Sequence, residues 1–176
     1  MNKIIKVSRW IDVLVVSKFS NYSYVFVFGV FGFLKYKFRK KINIFSKFKR
    51  VRMFGKDSSL YFTYIQLLNN LFYSVLNGHL IHLELRGVGF KYKIKDNNLF
   101  LILGFSHIIN YKIPSNILIN VLNTKLIKVF SNNLLILNKV VYALKKKKKF
   151  NVYKGKGIIL KDEVLITKEG KKASSF

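Results

Sequence analysis

The chain has 176 residues, and its 33 Lys and Arg against 7 Asp and Glu leave a formal net charge of +26. A free monomer with this charge repels itself, so the composition indicates a polyanionic partner. Nucleic acid is favoured, and an anionic membrane surface is the alternative. A hydrophobic content of 51% excludes a disordered basic tail and predicts a folded chain of one domain or two small ones. With no cysteine, the chain has no disulfide, thiolate metal site or thiol nucleophile.

The composition is rich in Lys, Asn, Phe, Ile, Leu and Tyr, and Pro114 is the single proline. These abundant residues are the ones that A- and T-rich codons encode, which favours a compact organellar or parasite-like genome. The basic N-terminus, Met1–Arg9, has neither an Arg- and Ser-rich presequence nor a signal-peptide pattern. If the protein works inside an organelle, we therefore expect it to be synthesised there.

The first half of the chain predicts strands followed by a helix. Phe19–Leu34 is uncharged, but it is shorter than the roughly 20 residues that a spanning helix needs, and its aromatic and β-branched residues favour buried strands. Alternating apolar positions between Lys35 and Lys56 predict short strands with one solvated face. Apolar residues at spacings of three and four then predict a helix that is capped by Ser58 or Ser59 and ends at Asn77-Gly78.

The second half predicts five strands and another helix. The apolar positions change phase at Gly87, which predicts one strand with a β-bulge, and Lys95–Asn98 predicts a hairpin turn. The second helix is expected to be capped by Ser131 or Asn132 and to run into the basic stretch Lys145–Lys149. Its apolar face is predicted to contain Leu134, Leu137, Val141 and Leu144.

Two segments of the chain are weakly similar, which suggests an internal duplication. Gly29–Phe38 lines up with Gly87–Ile94 if two residues are skipped, and the order of strands followed by a helix occurs twice. A low-complexity composition is the alternative explanation of this similarity, so the sequence leaves duplication as an open hypothesis.

Four blocks in the second half of the chain carry a family resemblance. The four blocks are Leu83–Phe90, Leu103–His107, Tyr153–Ile158 and Lys168–Lys172. In order and spacing they resemble large-subunit ribosomal protein six of the bacterial and organellar type, and we expect a mitochondrial gene. The first half is matched less closely, by Ile65–Asn70 leading to Gly78 and by little before Tyr24.

The resemblance implies an α+β fold of two similar small domains, each a mostly antiparallel sheet with one helix packed on it. Residues 1–78 would form the first domain, with residues 1–23 poorly matched, and residues 79–176 an rRNA-binding domain with a basic C-terminal extension. The implied function is a structural constituent of the large ribosomal subunit, in the mitochondrial matrix, that binds large-subunit rRNA near the translation-factor-binding region. Expected partners are that rRNA and neighbouring large-subunit proteins, with no cofactor, metal, small-molecule substrate or stable membrane insertion. The alternative is a basic membrane-surface protein inserted through Phe19–Leu34.

The candidate RNA-binding residues come from three of these blocks. In the loop Tyr153–Gly157, lysines supply charge, the tyrosine can stack on a base, and the glycines would let the backbone approach phosphates; a solvated hairpin is the alternative. A turn and the C-terminal extension complete the set, and for the turn a purely structural role is the alternative. The candidates are Ser106, His107, Tyr153, Lys154, Gly155, Lys156, Gly157, Lys168, Lys171 and Lys172.

Two further features bear on function. The run Lys145–Lys149 predicts non-specific phosphate contact, with a solvated helix end as the alternative. The family has a proline after the histidine, where this chain has Ile108, and a proline-rich approach to the lysine-glycine loop, where it has Lys145–Val152; these departures leave the path of that linker open. No acidic pair, P-loop or catalytic triad can be assembled, so we expect no enzyme.

Overall fold

The computed structural model describes residues 2–17, 22–39, 42–47, 49–55 and 58–170. The chain divides into two compact units, Met1–Gly78 (unit 1) and His79–Phe176 (unit 2). Each unit has its own apolar core.

Within its described residues, unit 1 has six strands followed by one helix. They are β1 (Asn2–Lys6), β2 (Asp12–Ser17), β3 (Tyr22–Gly29), β4 (Gly32–Arg39), β5 (Ile42–Lys47), β6 (Arg50–Gly55) and α1 (Ser58–Asn77). The strands form two antiparallel sheets, ordered β1-β6-β5 and β2-β3-β4. Helix α1 packs against β3, β4 and β6.

Alternation along the strands separates the core of unit 1 from its charges. Val25, Val27 and Phe38 are fully buried, whereas Lys35 and Lys37 lie on the opposite face of β4. From α1, apolar residues at helical spacing fill the same core: Tyr61, Ile65, Leu68, Phe72 and Val75. The predicted helix is therefore confirmed, although it begins at Ser58, which places both predicted cap serines inside the first turn.

The stretch considered for membrane contact is a β-hairpin. Of Phe19–Leu34, residues 19–21 lie outside the described residues, and the rest forms β3 and the start of β4, paired from Tyr22 to Gly29. Val25 and Val27 belong to the core of unit 1, as the preference for buried strands predicted, whereas Val30 lies exposed in the turn between the two strands. Over the described residues, none of the helices combines the length and the apolar character needed to cross a membrane.

Unit 2 repeats this arrangement and adds a strand. Over its described residues it contains β7 (His79–Arg86), β8 (Lys91–Lys95), β9 (Asn98–Ile102), β10 (Ile109–Lys112), β11 (Leu118–Asn123), β12 (Leu126–Ser131), α2 (Leu134–Lys147) and β13 (Gly157–Leu160). The sheets are ordered β11-β12-β7-β13 and β10-β9-β8, again antiparallel. Helix α2 packs against β7, β12 and β13.

The two units share one strand order. If β7 to β12 are matched to β1 to β6 in chain order, β1-β6-β5 corresponds to β7-β12-β11 and β2-β3-β4 corresponds to β8-β9-β10. This agreement confirms the expected α+β fold of two similar units. The similar segments in the sequence nevertheless match the wrong elements. Gly29–Phe38 covers the end of the third strand and most of the fourth strand of unit 1, whereas Gly87–Ile94 covers the turn after the first strand and most of the second strand of unit 2.

The predicted bulged strand around Gly87 is wrong. β7 ends at Arg86 in one sheet, and β8 begins at Lys91 in the other. Gly87 and Gly89 have φ angles of 149° and 74°, which L side chains rarely adopt, and a Cβ on Gly87 would lie 2.7 Å from the Phe90 ring. The change of phase in the sequence therefore marks a turn between sheets.

The predicted hairpin turn is confirmed. Lys95 pairs with Asn98, which leaves Asp96 and Asn97 as a two-residue loop with φ angles of 48° and 61°. Positive φ at both positions is typical of the type I′ turn, whose twist matches that of the flanking strands.

The second helix begins one or two residues later than predicted. Its N-cap is Asn133, whose Oδ1 accepts hydrogen bonds from the amides of Leu135 (3.0 Å) and Ile136 (3.3 Å). The hydroxyl of Ser131 instead accepts from the Asn133 amide and donates to the Asn116 carbonyl. Leu134 is 39% exposed rather than buried. The buried face of α2 consists of Leu137, Val140, Val141 and Leu144.

Replacing Asn133 with Ala should lower the free energy of unfolding by about 1 kcal/mol, because two amides of the first turn lose their acceptor. Asn138→Ala is the matched control, since this residue is exposed in the middle of α2 and alanine there raises helix propensity. Urea unfolding of the full chain measures both. Equal effects of the two substitutions would contradict the capping assignment.

Candidate nucleic-acid interface

The segment 151–156 is a tight hairpin that presents side chains to solvent. The Asn151 amide donates to the Lys156 carbonyl (2.9 Å), and the Gly155 amide donates to the Asn151 carbonyl (2.8 Å). Tyr153, 64% exposed, is followed by Lys154, and both of these residues and Lys156 lie open to solvent.

Asn151 fixes the shape of this hairpin. Its Oδ1 accepts from the amides of Tyr153 (2.9 Å) and Lys154 (3.0 Å). Together with the Gly155 bond, these contacts engage three consecutive backbone amides inside the turn. The outward-facing groups are therefore the phenol and the two ammonium groups, whereas the sequence had suggested that the backbone itself would approach phosphates.

The two glycines of the hairpin have different surroundings. At Gly155, φ is 64° and a Cβ would meet nothing within 4 Å, so the residue faces open space. Gly157 is buried, and a Cβ there would lie 2.5 Å from the Phe150 Cα and 2.9 Å from the Lys149 carbonyl oxygen. Glycine at 157 thus allows β13 to pass directly against the backbone that follows α2.

The turn containing Ser106 and His107 contacts the end of α2. Both residues are exposed, and the His107 ring stacks on Phe105 with centroids 6.1 Å apart and planes inclined by 19°. The Lys148 ammonium lies 4.0 Å from the centroid of the Phe105 ring, within cation–π range. This contact therefore ties the turn to Lys148, the residue that follows α2.

Lys148 also connects to the hairpin and, through it, to the C-terminal segment. Its carbonyl accepts from the Ile158 amide at 3.1 Å, where β13 begins. The Lys168 amide donates to the Val152 carbonyl at 3.1 Å, so the segment that carries Lys168 runs beside the hairpin. We call the surface formed by Ser106, His107, Lys148, Tyr153, Lys154, Lys156 and Lys168 the Lys148 surface. Lys171 and Lys172 lie outside the described residues.

The lysines of the run Lys145–Lys149 do not all have the same surroundings. Lys145 donates to the Glu163 carboxylate at 2.6 Å, and the Leu160 amide donates to the same oxygen at 3.1 Å. These two hydrogen bonds, with the Lys145 bond the larger cause, lower the pKa of Glu163. Lys145 is therefore engaged within unit 2, whereas Lys146, Lys147 and Lys149 are exposed.

The comparisons with known proteins give one consistent result. The chain is 32% identical over 157 residues to large ribosomal subunit protein uL6 of Mycoplasmopsis synoviae, an alignment that covers 86% of this chain and 87% of the relative. It is 36% identical over 110 residues to uL6 of Chlorobium chlorochromatii, covering 62% of each chain. It is 38% identical over 110 residues to uL6m of Reclinomonas americana, covering 62% of this chain and 60% of the relative. The chain belongs to the uL6 family.

No family model matches this uL6 chain. Its alignments with the Chlorobium and Reclinomonas proteins span about three fifths of those relatives' length, whereas the Mycoplasmopsis alignment extends over most of both chains. The resemblance stated from the four sequence blocks is thereby confirmed.

Two contacts of this uL6 chain were missed by sequence reasoning. The sequence left the path of Lys145–Val152 open; in the structure α2 ends at Lys147, Lys148 is extended, and Asn151 starts the hairpin. The Lys148–Phe105 contact joins residues 43 positions apart, a pairing that no local pattern predicts. The second missed contact joins Lys145 to Glu163, one of only seven acidic residues in the chain. Glu163 lies 18 residues after Lys145, and no other feature of the sequence indicated that the two side chains meet.

Gly157→Ala should destabilise the protein by more than about 2 kcal/mol beyond Gly155→Ala, because only the former forces a Cβ into backbone. Both residues have positive φ, but the 152° of Gly157 is less accessible to alanine than the 64° of Gly155, so the difference contains a conformational cost in addition to the close contact. Urea unfolding gives the difference. Equal destabilisation would show that the close contact at Phe150 does not constrain the fold.

Glu163→Gln should lower stability at pH 7 by roughly 1 kcal/mol, a charged hydrogen bond discounted for partial exposure. Because folding lowers the pKa of Glu163, its contribution is present above the ordinary value of 4.5 and is lost as the pH falls through the folded pKa. Thermal unfolding between pH 3 and pH 7 should therefore show the variant and the parent converging at low pH. Asp162→Asn, at an exposed neighbour, is the control and should change little.

Proposed function

We propose that this chain is a structural constituent of the large ribosomal subunit and that unit 2 binds large-subunit rRNA through the Lys148 surface. The observation that carries the proposal is a chain of contacts: Lys148 meets Phe105, beside the Ser106-His107 turn, and accepts from Ile158 just after the hairpin. The segment containing Lys168 is in turn bonded to the hairpin at Val152. Membership of the uL6 family supports the ribosomal part of the proposal. Binding near the translation-factor-binding region follows from the family resemblance.

The chemistry of the surface suits the sugar-phosphate backbone of RNA. Lys154 and Lys156 flank a left-handed glycine in a hairpin whose shape is fixed internally, so their ammonium groups are presented from a defined frame. Lysines on such a frame neutralise phosphates and release counterions, which makes the affinity fall with salt. Tyr153 adds a ring that stacks on a base or ribose, and His107 adds a ring nitrogen for hydrogen bonding.

The remaining lysines of the run take two roles in this proposal. Lys146, Lys147 and Lys149 are exposed at the end of α2 and contribute sequence-independent attraction. Lys145 and Lys148 hold the surface together, the first through Glu163 and the second through Phe105.

The proposal extends to the setting of the protein. Neighbouring large-subunit proteins are its expected protein contacts, and the mitochondrial matrix is its expected location. That location is supported by the similarity to uL6m of Reclinomonas americana and by an amino-acid composition rich in residues that A- and T-rich codons encode. No catalytic role is assigned to the chain. Sedimentation of an organelle lysate at low and high salt tests this setting, because the chain should travel with the large subunit until the salt strips core proteins.

Replacing Lys154 and Lys156 together with Ala should weaken assembly with large-subunit rRNA more than replacing Lys146 and Lys147, because only the first pair is held by a shaped turn. If both lysines contact phosphates, the slope of log affinity against log salt should fall by roughly 1.4 to 1.8. Reconstitution with rRNA at several salt concentrations measures both quantities. Equal losses for the two pairs would contradict a shaped contact and leave only diffuse attraction.

A further inference from the structure

Unit 1 has a concave surface on the outer face of its β1-β6-β5 sheet. The concavity has a volume of about 430 Å³ and is lined by Phe45, Lys47, Arg50, Arg52 and Phe54. These residues alternate with Ile44, Val51 and Met53, which are buried in the core beneath. The side chains that line the concavity thus project from the face opposite to that core.

The register of the sheet gives the concavity an aromatic end with Phe54 and Phe45 and a cationic end with Lys47 and Arg50, and Arg52 lies beside Phe45. Phe45 pairs directly with Arg52, and two residues further along β5, Lys47 pairs with Arg50. Alternate residues of a strand are about 7 Å apart, so the two ends are separated by about the length of one strand repeat. The rings of Phe45 and Phe54 meet edge to face at the aromatic end, with centroids 6.3 Å apart and planes inclined by 69°.

These rings differ from the tyrosine rings of the other sheet, whereas Phe28 and Phe33 of that sheet form a comparable exposed pair with centroids 5.9 Å apart. On β3, the Tyr22 ring is covered by the Lys37 ammonium at 3.6 Å and the Tyr24 ring by Lys35 at 4.5 Å, so those rings are already engaged by cations of β4. Phe45 is 59% exposed and Phe54 is 37% exposed. A half-exposed aromatic pair beside arginines is costly to leave in water and is suited to a flat partner.

We propose that this concavity is a second RNA-binding site that takes one unpaired nucleotide, with its base stacked on Phe45 and its phosphate held by Arg50 and Arg52. A nucleotide supplies a flat ring and an anion a few ångströms apart, which is the pairing of chemistry that the lining offers. Guanidinium groups hold phosphate through paired N–H donors. Acidic side chains do not occur among the described residues that line the concavity.

An acidic protein segment would pair with the cations but would leave the exposed rings without a flat partner.

The proposal goes beyond the Lys148 surface, since it assigns RNA binding to unit 1 through residues of a different sheet. It therefore predicts that RNA affinity depends on an aromatic side chain in unit 1, which diffuse attraction to a basic protein does not.

The test uses the full chain carrying Lys154→Ala and Lys156→Ala, so that binding by unit 2 is weakened. A fluorescein-labelled hexauridylate is the probe, and anisotropy is measured over a range of salt. Phe45→Leu should weaken binding roughly 5- to 150-fold, the effect of removing one stacking platform, with an unchanged salt slope. Arg50→Gln with Arg52→Gln should instead reduce the slope by about 0.7, the value for one phosphate contact on a single strand.

Controls come from the other sheet of unit 1 and from a conservative change. Phe33→Leu removes a ring that is 60% exposed on β4, and Arg39→Gln removes an exposed cation from the same strand. Both should bind the probe as the parent does. Phe45→Tyr keeps the ring and should restore binding, and the urea midpoints of all variants verify that unit 1 remains folded.

The outcomes separate this proposal from the preceding one. Unchanged affinity in folded Phe45→Leu, or an equal loss in Phe33→Leu, would overturn the nucleotide site. Phe45-dependent binding of hexaglutamate as tight as that of the hexauridylate would identify an acidic protein partner instead and would also overturn it. If Lys154→Ala/Lys156→Ala loses rRNA assembly and Phe45→Leu has no effect, only the unit 1 site is contradicted. If Phe45→Leu weakens binding and Lys154→Ala/Lys156→Ala assembles normally, only the Lys148 surface is contradicted.

Discussion

Side chains alternate between the two faces of a β-strand, and in this chain that alternation keeps lysines and arginines away from two apolar cores. On β4, Leu34, Tyr36 and Phe38 face inward, whereas Lys35, Lys37 and Arg39 face outward. With a net charge of +26, a register slip of one residue would bury cations in place of apolar side chains. The outer faces of the sheets therefore collect positive charge as a direct consequence of building the cores.

The shared strand order of the two units makes their differences informative. Unit 2 adds β13 beside β7 after its helix, and the chain reaches β13 through the hairpin that presents Tyr153, Lys154 and Lys156. In unit 1 the described chain passes from α1 directly to Gly78 and then to β7. The extra strand thus both widens one sheet and positions the side chains of the proposed rRNA contact, which is the main structural difference between the repeats.

Two cation contacts set the geometry of the Lys148 surface from within. Lys145 is held by Glu163, and Lys148 lies over Phe105, so two of five consecutive lysines act on protein groups rather than on solvent. In a low-dielectric, partly buried setting such contacts are stronger than in water. The positions of the remaining lysines therefore depend on an acid and an aromatic ring that come from distant parts of the sequence.

The sequence by itself determined the alternation, both helices, the Asp96-Asn97 turn and the family blocks, because period, turn chemistry and local spacing are written in neighbouring residues. The bulge predicted at Gly87 was wrong, because a change of phase in the apolar positions looks the same whether a strand bulges or the chain moves to another sheet. It placed the α2 cap at Ser131 or Asn132, because several adjacent polar residues can cap and only the backbone angles select Asn133. Only the tertiary structure decided that Gly157 packs on Phe150, that Lys148 meets Phe105, and that Phe45 and Arg52 line one concavity. Lys148 and Phe105 are far apart in the chain, Phe45 and Arg52 lie on paired strands, and Gly157 meets Phe150 only because the chain folds back through the hairpin. Tertiary folding, rather than local pattern, therefore fixes these contacts.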